Sequence, residues 1–167
     1  MMKAIAPLAA LALAACTNPA EETLGTPDPL PPLAQRHDAP QLAMLEHILG
    51  AYFSSDIANR PTVCASIHDG REEEALMPQQ EIALIERFPN LAPLARCSRR
   101  SNGWIDTETQ QPALVFTLHN FTCASEDSCS AWGGYISNGE NSMSALYRGE
   151  WNGSAWEFTR DNRIIAE

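Results

Sequence analysis

Lysine is almost absent from this chain of 167 residues: Lys3 is the single copy, and all other permanent cationic charge rests on arginine. Lys plus Arg number 11 against 21 Asp plus Glu, a net charge of −10, so the chain lacks the cationic face that a nucleic-acid partner requires. Long apolar runs are missing too. The longest, Ala4 to Ala15, is shorter than the roughly 20 residues a bilayer-spanning helix needs. There is no Gly-x-Ser-x-Gly elbow, no glycine-rich phosphate loop, no Cys-x-x-Cys and no Cys/His pattern at zinc spacing. No catalytic residue, cofactor or metal site can therefore be assigned by motif. What the chain does have is 44% hydrophobic residues, enough for one packed domain, together with 12 prolines and five cysteines.

The prolines and one cysteine mark out the N-terminal organisation. Lys3 followed by the apolar run Ala4 to Ala15 has the form of a signal peptide. The run ends in Leu13-Ala14-Ala15-Cys16, which resembles the lipobox of bacterial lipoproteins. Small residues before the cysteine let the backbone enter a processing peptidase, and the Cys16 thiol is the soft nucleophile that takes a diacylglycerol. The resemblance covers residues 1–16 only. It implies a signal peptide over 1–15 and lipidation at Cys16, with a palmitate-type membrane anchor. Thr17, in place of an aspartate, implies sorting to the periplasmic face of the outer membrane. Loss of residues 1–15 would remove Lys3 and leave 10 Arg against 21 acids, so lysine-dependent chemistry is excluded from the mature form.

Residues 16–37 carry Pro19, Pro27, Pro29, Pro31 and Pro32 with few large apolar groups, which predicts an extended tether. A single globular domain then spans 38–167. Asp38-Ala39-Pro40-Gln41 reads as an N-cap followed by an early helical proline, and Leu42, Leu45, Ile48, Leu49, Tyr52 and Phe53 recur at helical spacing, predicting a helix over 39–55. A second is expected over 78–88, with Ile82, Ile85 and Phe88 as its apolar side and Pro89 as its stop. Residues 59–77 read as loop.

Beyond residue 94 the pattern becomes that of strands, punctuated by Asn-Gly at 102, 138 and 152. Strands are expected over about 113–122, 130–137, 142–151 and 154–160, with another near 94–100. A two-residue turn at Asn152-Gly153 pairs Tyr147 with Phe158 and Arg148 with Glu157. The turn near Asn138 places Trp132, Gly134 and Ile136 on the face of Met143, Ala145 and Tyr147. Setting Cys123 opposite Cys129 adds Leu114, Phe116 and Leu118 to that face. The fold class expected is α+β: two N-terminal helices packed on one face of a four- to five-stranded antiparallel meander. Helices first and meander last bear a loose similarity to cystatin-like and nuclear-transport-factor-like folds, an architectural analogy without a motif behind it.

With Cys16 lipidated, Cys64, Cys97, Cys123 and Cys129 remain, and four cysteines allow three connectivities. The register favours Cys123 with Cys129, leaving Cys64 for Cys97. Two sets of polar residues carry candidate chemistry. His68, Asp69 and Glu72 to Glu74 are the densest group of acid, base and ligand types, although their spacing fits no metal motif and acid runs are usually solvated. His119 is expected opposite the core beside Gly133, sharing a candidate binding face with Phe121, Tyr135, Leu146 and Arg148. His37 and His47 look ordinary, and Arg96, Arg99 and Arg100 read as partners for nearby carboxylates. The expected function is that of a non-enzymatic binding or accessory module on the outer membrane, recognising an envelope protein or ligand. The alternative is a small periplasmic hydrolase or metal-dependent enzyme using His68 or His119.

Overall fold

The computed structural model describes residues 31–137 and 142–161, so Cys16, the signal peptide, most of the tether and the Asn138-Gly139 turn lie outside the described residues. The elements run α1 (Pro40–Phe53), β1 (Thr62–His68), β2 (Glu73–Glu74), α2 (Pro78–Arg87), β3 (Cys97–Arg100), β4 (Gly103–Asp106), β5 (Ala113–Ser125), β6 (Ser128–Ile136), β7 (Ser142–Trp151) and β8 (Trp156–Asp161). The class is α+β. Six strands form one sheet in the order β2-β1-β5-β6-β7-β8, mostly antiparallel, and β3 and β4 form a separate two-stranded sheet. Among the described residues no helix is long and apolar enough to cross a membrane.

Both helices form where their periodicity places them, but Ile82, expected on the apolar side of α2, is exposed, and Leu84 is the residue that α2 buries. Leu42, Leu45, Ile48 and Leu49 of α1 are buried, and Met44 joins them, so the apolar side is wider than a stripe. Asp38 is not the cap. Ala39 holds the N-cap position with no side-chain bond, while the Asp38 carboxylate accepts from Arg36. In α2, Pro78 occupies the first turn and the Gln80 amide oxygen accepts from the Met77 N–H, a local bond that fixes the start. Arg87 at its end pairs with Glu46 of α1 at 2.7 Å, coupling the two helices. The packed chain reaches back into the proline-rich segment: Leu33 is buried, the Ala34 N–H donates to Glu46, and the Trp156 indole donates to the Arg36 carbonyl.

Three further expectations need correction. The first concerns residues 62–68, which are not loop: they form β1, parallel to β5 with Val63 opposite Leu114 and His68 opposite His119. Both its faces are covered, which blurs the polar alternation that marks a half-exposed strand. Secondly, the segment near 94–100 does not join the main sheet. Its β3 pairs only with β4, and this hairpin covers the back of β1 and β5 through Trp104, Cys97 and Val115. The third is the register. Around Asn152 the pairing is Trp151 with Trp156 and Gly149 with Phe158, a four-residue loop that keeps the expected faces but sets Arg148 against Thr159, not Glu157.

The register error is more consequential at β6. A bulge between His119 and Thr122, with Asn120 at φ 51°, shifts the β5–β6 register by one residue, and the pairing of Ile136 with Ser142 shifts β6–β7 by one more. The two slips cancel for β5 and β7, so Leu114, Phe116 and Leu118 still share a face with Ala145 and Tyr147. Only β6 is inverted. Ala131, Gly133 and Tyr135 face the helices, and Trp132, Gly134 and Ile136 face away. Gly133 is where α1 lands, since a Cβ there would stand 2.5 Å from Ile48 Cδ1 and 2.9 Å from Leu118 Cδ2.

Both expected disulfides are present. Cys64–Cys97 joins β1 to β3, and Cys123–Cys129 ties β5 to β6 across their hairpin.

Candidate functional site

The side of the sheet turned away from the helices is only half covered by the β3–β4 hairpin. On the remainder, strand pairing stacks three rows of side chains. One runs His68, His119, Trp132 and Leu146; the next Ser66, Thr117, Gly134 and Ser144; the third Cys64, Val115, Ile136 and Ser142. The middle row has no side chain at Gly134, so a groove opens between Trp132 and Ile136. Its volume is about 390 Å³. The absence is built in: a Cβ on Gly134 would stand 1.7 Å from the Met143 carbonyl oxygen, so any side chain there requires β7 to move.

The floor of the groove is unusual in its hydrogen bonding. Thr117 is 1% exposed and its Oγ1 has no partner; next to it Ser66, fully buried, also has an unpartnered Oγ. A buried hydroxyl without a partner costs about 1–3 kcal/mol, so these two are a standing expense on the fold. Across the gap stand Ser142 and Ser144 on the β7 side, and Asn120 lies on the bulge at the other end.

At the groove's end the structure brings together the two histidines singled out in the sequence. Their rings lie 4.4 Å apart, tilted by 32°. The Gly70 N–H donates to His68 Nδ1 at 3.0 Å, which leaves that ring's Nε2 for the proton in its neutral form. Burial, with a smaller contribution from the neighbouring His68, pushes the His119 pKa below its ordinary value, and Glu73 opposes the shift. The neutral form of the His119 ring is therefore favoured. The Glu73 carboxylate is held by Arg99 at 2.8 Å.

The acid run does not converge. Asp69 accepts from the Arg71 and Glu72 N–H groups, a local turn, and these bonds lower its pKa. Among the described residues no group of three or more His, Cys, Asp or Glu is placed to hold a metal ion. Of the five residues expected to share the open face, His119, Leu146 and Arg148 do so. Phe121 and Tyr135 pack against the helix-side core instead, Phe121 because it lies in the bulge and Tyr135 because β6 is inverted. Residue spacing missed Trp132, Gly134 and Thr117; the adjacent glycines 133 and 134 were the signal that two layers approach the same strand from opposite sides.

The other histidines are more engaged than their positions implied. His37 bonds Asp127 at 2.9 Å and stacks on Trp156, and His47 lies against Phe158 with ring centroids 5.2 Å apart. A larger cleft of about 490 Å³ lies near Arg60 and Arg96. Arg96 is engaged there by Asp106 and Glu108, and Arg60 donates to the Phe53 and Ser55 carbonyls, which leaves its buried Nε without a partner. The sheet-face groove is thus the better candidate. No protein-family model, no curated protein and no solved structure matches the chain.

Proposed function

We propose that this chain is an envelope lipoprotein, anchored through Cys16 and tethered by its proline-rich segment, whose disulfide-stapled domain acts as a binding module at the periplasmic face of the outer membrane. The observation that carries the binding role is the groove on the uncovered sheet face. It combines an aromatic wall, backbone close to the surface at Gly134 and hydroxyl groups with free hydrogen-bonding capacity. The anchor rests on the lipobox resemblance, and the two disulfides fit an oxidising compartment.

The anchor is tested by metabolic labelling with a palmitate analogue. The full chain should take up label, and Cys16→Ser should abolish it and leave the unprocessed form; label retained in that variant would overturn the assignment. The binding role is tested with a photo-crosslinking amino acid at Ser142, on the groove rim, in intact envelopes. A discrete adduct that disappears with Trp132→Ala supports the module, and an adduct pattern indifferent to Trp132 removes it.

The second reading, a small hydrolase or metal-dependent enzyme, is favoured by the contact of His68 with His119. It predicts a hydrolytic activity, or a stability that falls on chelation, and in either case its loss in His68→Ala and His119→Ala.

A further inference from the structure

The geometry points to an uncharged sugar ring as the ligand of the groove, placed face-on against Trp132 with its hydroxyls over Thr117 and Ser144. This inference rests on the reading of the groove as a binding site and adds the chemistry of what binds there.

Three observations carry it. The first is charge. In a chain of net charge −10, none of the described residues lining the groove is an acid, lysine or arginine, and burial favours the neutral form of its histidine. An ionic ligand would be desolvated there without a counter-charge, which is costly.

The second is shape. Trp132 and Ile136 are four residues apart on one strand, so their Cα atoms are separated by roughly 13 Å. Subtracting the bulk of the two side chains leaves a slot about one six-membered ring wide. The Trp132 indole is partly exposed on one wall, and an aromatic face suits the C–H side of a pyranose as well as it suits another ring.

The third is hydrogen bonding. The Thr117 hydroxyl is buried and unpartnered, and Thr117 lines the groove opposite Gly134, its direct strand partner. A hydroxyl donates once and accepts twice, which is the pattern a sugar hydroxyl also offers. Ser144 on the other side of Gly134 and Asn120 at the groove's end supply further donors and acceptors. An apolar ligand would leave Thr117 unpaired; a polyhydroxylated ring satisfies it.

The full chain in detergent micelles should be titrated with three probes: neutral oligomers of N-acetylglucosamine, maltose oligomers, and oligogalacturonate as an acidic counterpart. The readout is the indole N–H resonance of Trp132, identified by its loss in Trp132→Phe. A neutral oligomer is expected to shift this signal, and oligogalacturonate to leave it unmoved. Thr117→Val should weaken that binding about tenfold while the melting temperature stays level or rises, because the variant removes an unsatisfied hydroxyl at constant shape. A merely structural threonine would not separate affinity from stability in this direction. Trp132→Ala, followed by titration calorimetry because it lacks the reporting indole, should show no binding.

If neither neutral oligomer moves the Trp132 signal, or if only the acidic probe does, the sugar assignment is overturned. The binding module survives that result where the Ser142 adduct still depends on Trp132, and falls with it where the adduct does not. Binding that is unchanged in Thr117→Val overturns the assigned pose.

Discussion

Replacing Asp106 by alanine is expected to lower the melting temperature by roughly 10 °C or more, an effect in the range of breaking a buried charge network. Asp106 closes β4 with no exposed surface. Its carboxylate accepts from Arg96 Nε at 3.0 Å and a terminal Arg96 nitrogen at 2.7 Å, from the Thr62 hydroxyl at 2.6 Å, and from the Glu108 N–H at 2.9 Å. One side chain thus ties the start of β1, the turn ahead of β3 and the β4–β5 connection together. Removing it strands a guanidinium, a hydroxyl and backbone donors at once. Asp106→Asn keeps the shape but turns an amide N–H₂ toward arginine, so it should fall between wild type and alanine.

The same residue governs acid stability. The Arg96 guanidinium, with the Thr62 hydroxyl and backbone N–H groups, holds the Asp106 carboxyl far below the usual carboxylate range against the opposing effect of burial. A depressed folded-state pKa contributes stability that is fully present above the unfolded-state value near 4 and is lost as pH falls below it. Thermal melts of wild type and Asp106→Asn should therefore run apart at pH 7 and converge toward pH 2.5. Parallel curves, or an alanine variant within 2 °C of wild type at pH 7, would show that the network contributes nothing net.

How the groove escaped sequence reasoning follows from particular residues. Turn arithmetic handles hairpins, because each register depends on one local loop. It found the β5, β7 and β8 faces and the Cys123–Cys129 pairing, and periodicity found both helices. Two one-residue irregularities on either side of β6 are invisible to it when they cancel. One of them left a trace: apolar residues occupy even positions from Leu114 to Leu118, then Phe121 breaks the phase, which is the mark of an inserted residue at Asn120. The parallel pairing of β1 with β5 left none. It is set by a crossover containing α2 and the β3–β4 hairpin, and no local turn encodes it. That pairing is what brings His68 to His119, and the inversion of β6 is what sets Trp132 beside them.

The crossover also explains why the Cys64–Cys97 bond should outweigh the other disulfide. Replacing both cysteines by alanine is expected to cost about 3–4 kcal/mol, whereas removing Cys123–Cys129 should cost about 2 kcal/mol, because the closed loops differ in length. The sequence separations are 33 and 6 residues. Position strengthens the contrast. Cys123–Cys129 joins strands already paired by hydrogen bonds, while Cys64–Cys97 fastens the β3–β4 hairpin, a separate sheet, to the back of β1. Without it the hairpin is held there by Trp104, Val115 and Leu94 and by the Arg96–Asp106 pair. Hydrogen exchange on the Cys64→Ala/Cys97→Ala chain should accordingly show early opening of residues 97–106, with β6 and β7 protected to higher free energy. Ile136, a wall of the groove, packs against this same cluster, so ligand affinity should fall along with hairpin protection. A double variant as stable as wild type, or protection lost uniformly across both sheets, would mean that the hairpin and the six-stranded sheet already fold as one unit and that the bond adds no tie between them.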